Sequence, residues 1–211
     1  MINLFNNIKQ KDKEKILTFL EANTLFYKKN TTILTSVKKE NIIGIVVEGN
    51  IQITKNDYNG NSTIIEDLYE NDIFGFDFST ISNTEQSIVT KEDSKITVIY
   101  FDDIINKELN YPYYNQFLKN LLFIMSDKIN NANNRIEILS NKTIRNKLLA
   151  YFKIISKKNK SKIIYLPYSY SLLADYLGVD RSAMYREHKH LKEEGLIETK
   201  NKKITLKTYD V

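Results

Sequence analysis

From Leu118 onward the apolar residues Leu118, Leu122, Met125, Ile129, Ala132, Ile136 and Leu139 follow one another at spacings of 4, 3, 4, 3, 4 and 3. That alternation is a heptad a/d seam held over three repeats, and a strand, which repeats every two residues, cannot carry it. A stripe this narrow suits a partner helix, so the chain is expected to pair with a second copy of itself as a homodimer. Phe117, Leu121 and Ile124 offer an additional early stripe for packing the same helix on the domain before it. Both contacts are compatible. Asparagines at 130, 131, 133 and 134 weaken intrinsic helicity, so the dimer is expected to sustain the seam.

Upstream of Pro112 the period is two. After an N-terminal helix with Ile16, Leu17 and Leu20 inward, short β-branched runs recur at 31–34, 42–47, 51–54, 63–65, 87–90 and 96–100. Glu48-Gly49-Asn50 and Tyr58-Asn59-Gly60-Asn61 are hairpin signals, because Gly and Asn tolerate positive φ. Many short strands at even spacing predict an antiparallel roll over residues 1–108, followed by a dimerisation helix over 109–140 that breaks near Ser140-Asn141. A third segment, 141–211, begins with a helix from Thr143 through Phe152, a basic loop Lys157–Lys162 and a short strand from Ile163. The fold class is α+β.

Charge separates the same segments. Of 31 Lys/Arg and 26 Asp/Glu in 211 residues, residues 142–211 hold 16 and 7, leaving 15 and 19 in residues 1–141. A basic module joined to an acidic one fits a nucleic-acid-binding domain attached to a sensory or assembly domain, although lysines that merely solubilise a surface would give the same count. The absence of cysteine excludes a disulfide framework, a thiolate zinc site and a cysteine-ligated iron–sulfur cluster. The first residues lack the pattern of a signal peptide, and no apolar run reaches the length of about 20 residues that spans a bilayer, so a cytoplasmic protein without membrane contact is expected.

The stretch Ser169 to Leu206 carries the function. Ser171 to Leu177 reads as a short helix capped by Ser171, Gly178 as the turn, and Arg181 to Glu194 as a second helix capped by Asp180, burying Met184 and Leu191 and ending at Gly195. Leu196 to Leu206 forms a hairpin with a basic tip. This is a helix-turn-helix followed by a wing. Ser171, Arg181, Ser182, Tyr185, Arg186, Lys189, Lys202 and Lys203 are the expected DNA contacts, the two arginines to guanine or phosphate and the lysines to phosphate. His188 is expected beside Met184 and Leu191, and His190 outside; two positions apart, they do not share a metal. No motif recommends an enzyme.

The order of roll, long helix and winged helix-turn-helix resembles the Crp/Fnr family of bacterial transcription regulators over nearly the whole chain. The stretch Asp175 to Arg186, with Leu191 to Ile197, and Val46 to Ile53 in the roll, carries the resemblance most specifically. It implies double-stranded DNA with an inverted-repeat operator, a second copy of the chain and RNA polymerase as partners, and base contacts for Arg181 and Arg186. Cyclic-AMP-responsive members place a Glu between those arginines; Ser182 stands there instead, so their standard operator is not implied.

Cyclic-nucleotide-binding members also carry a Gly-Glu pair for the ribose and an Arg-Ser pair for the phosphate. Here the matching positions are Gly75-Phe76 and Gln86-Ser87, which lack both charges, so an effector other than cyclic AMP is expected. Its pocket would be bordered by Gly75, Phe76, Gln86, Ser87, Asn130 and Asn131. No cofactor is predicted. The alternative within the family is a haem-based gas sensor, with Met or Tyr as axial ligands. The alternative from another class is a ligand-binding module that regulates a partner protein.

Overall fold

The computed structural model describes residues 3–35, 42–56, 62–75, 86–107, 112–166 and 169–207. The chain forms two compact units, Met1–Met125 and Ser126–Val211. In unit 1, α1 (Gln10–Phe19) precedes β1 (Asn23–Tyr27), β2 (Thr32–Thr35), β3 (Ile42–Glu48), β4 (Ile51–Asn56), β5 (Ser62–Leu68), β6 (Ile73–Gly75), β7 (Gln86–Thr90) and β8 (Ser94–Tyr100). Two four-stranded antiparallel sheets result, ordered β1-β8-β3-β6 and β2-β7-β4-β5. The helices α2 (Phe101–Asn106) and α3 (Pro112–Ser140) follow.

β3 is buried on both faces, and period-two alternation sorts its residues. Ile43 and Ile45, with Ile73 and Ile99, join Leu4, Ile16, Leu20, Phe117 and Leu121 in one core; Val46, with Phe74 and Ile96, joins Ile51 and Leu68 in another. The early α3 stripe is therefore seated as expected, with Phe117 and Leu121 buried and Ile124 packed against them. Asn120, also buried, donates to the carbonyls of Leu4 and Asn6 at 3.0 and 2.8 Å, and so ties the N-terminal segment to α3.

In unit 2, α4 (Ile144–Asn159) is followed by β9 (Ile163–Tyr165), α5 (Tyr170–Leu177), α6 (Arg181–Glu193), β10 (Ile197–Lys200) and β11 (Lys203–Leu206). The three strands form an antiparallel sheet ordered β10-β11-β9. Its core joins Ile138 of α3 to Leu148 and Phe152 of α4, Leu173 and Leu177 of α5, Met184 and Leu191 of α6, and Ile204 of the sheet.

Several local expectations are corrected. α4 runs past Phe152 and takes Lys157, Lys158 and Asn159 into its last turn, because lysine is a good helix former and a cation there meets the negative end of the helix dipole. Lys160, at φ 47°, ends it. Ser169, not Ser171, caps α5: its hydroxyl accepts from the Leu172 N–H, three residues on, at 3.3 Å. β1 and α2 were not anticipated.

Gly44 lies where β3 passes the buried Phe74, and a Cβ built there would overlap the Phe74 ring. Gly44→Ala is therefore expected to destabilise unit 1 by about 1–3 kcal/mol, the usual range for overpacking, and the second change Phe74→Leu should recover part of the loss. Thermal denaturation reads this; an unchanged melting temperature for Gly44→Ala would contradict the packing.

Candidate nucleic-acid interface

The two helices of the motif are set by their ends. The α5 cap leaves Tyr170 in the first turn, and Gly178 closes the helix in the left-handed conformation at φ 61°, where the N–H groups of Gly178 and Val179 return to the last turn. Asp180 then caps α6: its Oδ1 accepts the Ala183 N–H at 2.8 Å and the Ser182 hydroxyl at 2.6 Å. The Ser182 hydroxyl, the Ala183 N–H and the charge of Arg186 hold the Asp180 carboxyl below the usual carboxylate range.

Burial decides which face of α6 is presented. Met184 and Leu191, seven residues or nearly two turns apart, sit fully inside the core. Ala174 of α5, also fully buried, lets the helices approach closely. Arg181, Ser182, Tyr185, Arg186 and Lys189 are all exposed on the remaining surface of α6. Ser171 lies half-buried in the first turn of α5.

The exposed side chains are not all idle. Arg181 donates to Asp175 of α5 through Nε at 3.3 Å and Nη2 at 3.0 Å, and that carboxylate raises the guanidinium further above its ordinary value. Ser182 is engaged in the cap, and Lys189 pairs with Glu193 one turn on at 3.6 Å. The sequence singled out Arg181 but not Asp175, because a bidentate pair across a turn has no periodic signature.

The wing turn consists of Asn201, at φ 56°, and Lys202, with Lys200 directly opposite Lys203 in the ladder. Lys200 and Lys202 are exposed and Lys203 is half-buried. Tyr170 links this turn to α6: its hydroxyl donates to the Asn201 carbonyl and meets His188 Nε2, both at 3.4 Å, while its ring lies 4.9 Å from the imidazole and 5.6 Å from the Tyr185 ring. His188 thus stacks edgewise on Tyr170 of α5, an aromatic contact that spacing along α6 alone did not indicate. Burial, with Lys192 nearby, holds its imidazole below the ordinary histidine value. His190 is exposed as expected.

The expected effector residues belong to different units. Gly75 ends β6 at φ 104°, and a Cβ there would overlap the Ile42 carbonyl, so its backbone role in the sheet is explained without a ligand. Gln86 and Ser87 pair with Lys55 and Thr54 in the other sheet. Phe76 lies outside the described residues. In unit 2, Asn130 and Asn131 line a cleft of about 430 Å³ with Lys153, Lys157 and Lys158 of α4 opposite; Lys158 donates to the Asn131 side chain at 3.4 Å. Among the described residues, no group of three or more His, Asp or Glu could hold a metal, and no helix is long and apolar enough to cross a membrane.

Residues 146–210 match the family model described as a Crp-like helix-turn-helix domain. The protein named "Putative HTH-type transcriptional regulator ycf28", from Porphyra purpurea, is 26% identical over 184 residues, covering 85% of this chain and 76% of that protein. Among solved structures, CprK complexed with OCPA covers 92% of this chain and 89% of its own at a TM-score of 0.70 and 13% identity. A cyclic nucleotide-binding domain containing protein from Listeria monocytogenes EGD-e covers 92% and 96% at a TM-score of 0.64 and 19% identity. The structural likenesses carry the fold alone.

The Asp175–Arg181 pair competes with any acceptor Arg181 would meet on DNA. Because the pair is exposed, the competition is modest. Asp175→Asn is expected to raise DNA affinity by a factor of about two to five, measured by fluorescence anisotropy at fixed salt. Weaker binding would mean that Asp175 presents Arg181 to the DNA instead of withholding it.

Proposed function

Because the chain is a Crp/Fnr-type transcription regulator with a Crp-like helix-turn-helix domain, we propose that it reads an inverted-repeat operator as a homodimer, under an effector other than cyclic AMP. The observation that carries the reading is the outer face of α6. Opposite the buried Met184 and Leu191 stand Arg181 and Arg186, residue types that make bidentate contacts to guanine in a major groove, with Tyr185 and Lys189 beside them. Lys202 and Lys203 at the wing and Ser171 on α5 take backbone roles, which position the reader without specifying sequence.

The dimer rests on the exposed seam of α3. Leu122, Ile129 and Ile136 are 66%, 59% and 62% exposed, large apolar side chains repeating every seven residues in water. A second copy of the same stripe is the partner whose spacing matches them. Leu118 and Met125, packed in part against the unit 1 core, and Ala132 and Leu139 complete the proposed interface. RNA polymerase is the further partner we propose, on the regulator assignment.

Two measurements test this reading. Arg181→Ala is expected to cost about tenfold to a hundredfold on an operator selected from random sequences and to relax the preference at one position; Lys203→Ala should weaken binding to all sequences and flatten the salt dependence. Unchanged operator affinity for Arg181→Ala would reject the docking of α6. For the effector, Phe76 and Gln86 supply no anion for a ribose hydroxyl and no cation for a cyclic phosphate. Millimolar cyclic AMP or cyclic GMP is therefore expected to leave the melting temperature unchanged. A ligand at a hundred times its dissociation constant would add about 2.7 kcal/mol, so a clear thermal shift would overturn this part of the proposal.

A further inference from the structure

Glu187 and Glu194 stand seven residues apart, at the middle of α6 and at its C-cap, and one cation meets both. Arg145, the second residue of α4, donates through Nη1 to Glu187 Oε1 at 3.3 Å and to Glu194 Oε1 at 2.8 Å, while its Nη2 donates to Glu194 Oε2. The Glu194 carboxylate, more than Glu187, lifts the guanidinium above its ordinary value, and Arg145 in turn holds the Glu194 carboxyl below the usual range. A carboxylate at a helix C-terminus faces the negative end of the dipole, so Glu194 is out of place there without its partner.

The same turn of α4 grips the other helix of the motif. Lys147 Nζ donates at 3.2 Å to the carbonyl of Leu177, the last residue of α5. The turn itself is fixed on one side by the Thr143 hydroxyl, which accepts the Asn146 N–H, and on the other by Leu148, fully buried in the core. Arg145 therefore projects from a fixed base. Its planar fork makes two parallel bonds to one carboxylate and a third to another, a geometry that a lysine ammonium cannot reproduce.

We propose that Arg145 is the positioning residue of the DNA reader: without touching DNA, it sets the seat of α6 against α4 and hence the angle at which Arg181 and Arg186 meet base edges. The inference rests on α6 being the recognition helix. It separates orientation from charge, because neutralising two carboxylates near DNA would need only a cation, whereas seating the helix needs the fork.

The test compares the full-length chain with Arg145→Lys, using anisotropy titrations against the selected operator and against a random-sequence duplex at one salt concentration, with melting temperatures recorded alongside. Arg145→Lys is expected to keep its melting temperature, its affinity for random DNA and its salt dependence, and to lose about tenfold on the operator alone. Glu187→Gln combined with Glu194→Gln removes the clamp from the α6 side and leaves α4 intact. It is expected to bind random DNA at least as well as the parent and still lose operator preference. An Arg145→Lys protein with the parent's ratio of operator to random affinity would overturn the proposal, as would a loss shared equally by both duplexes. A parent chain that discriminates no sequence would overturn the recognition-helix reading beneath it.

Discussion

The structure depends on one helix that serves two hydrophobic cores. α3 spends its early turns on unit 1, where Phe117 and Leu121 are buried, and near its end it gives Ile138 to the core of unit 2. What remains is the stripe through Leu122, Ile129 and Ile136. Seven residues fall about 20° short of two full turns, so these three positions stay within about 40° of one another and form a continuous apolar line. That line is exposed in a single chain, and burying it against a second copy supplies the energy that an asparagine-rich helix lacks from propensity.

The DNA-binding surface follows from burial rather than from charge alone. Met184 and Leu191 fix the rotation of α6, and this leaves Arg181, Tyr185, Arg186 and Lys189 outside. The charges near that surface are then managed by pairing. Asp180 is spent on the cap, Asp175 on Arg181, Glu193 on Lys189, and Glu187 and Glu194 on Arg145. Each exposed pair contributes little to folding. Together they place the acidic residues of α5 and α6 against cations of the protein, so the domain's basic excess remains to attract phosphate.

Features with a period or a turn signature were legible in the sequence. The roll strands from Ile42 to Tyr100, the α3 stripes, the glycine turn at Gly178 and the wing hairpin all announce themselves within a few residues. What escaped depends on contacts distant in sequence or on choices between neighbours. Ser169 and Ser171 are both plausible caps, and only the backbone shows which lies at the boundary. β1 exposes Leu25 and Phe26 and holds its place by pairing with β8, seventy residues on, so it lacks the alternation of a half-buried strand. Arg145 reaches residues 42 and 49 positions away, and its role has no local sign. Among the proposed effector residues, Gly75 has a backbone reason for its identity, which a motif comparison cannot separate from ligand binding.

The most direct test of a two-fold DNA reader is hydroxyl-radical footprinting of the full-length chain on its selected operator. Two equivalent protected patches are predicted, related by a dyad and centred about 10–10.5 base pairs, or a small multiple of that helical repeat, apart. A single unrepeated patch, or protection spread evenly along the duplex, would contradict the account.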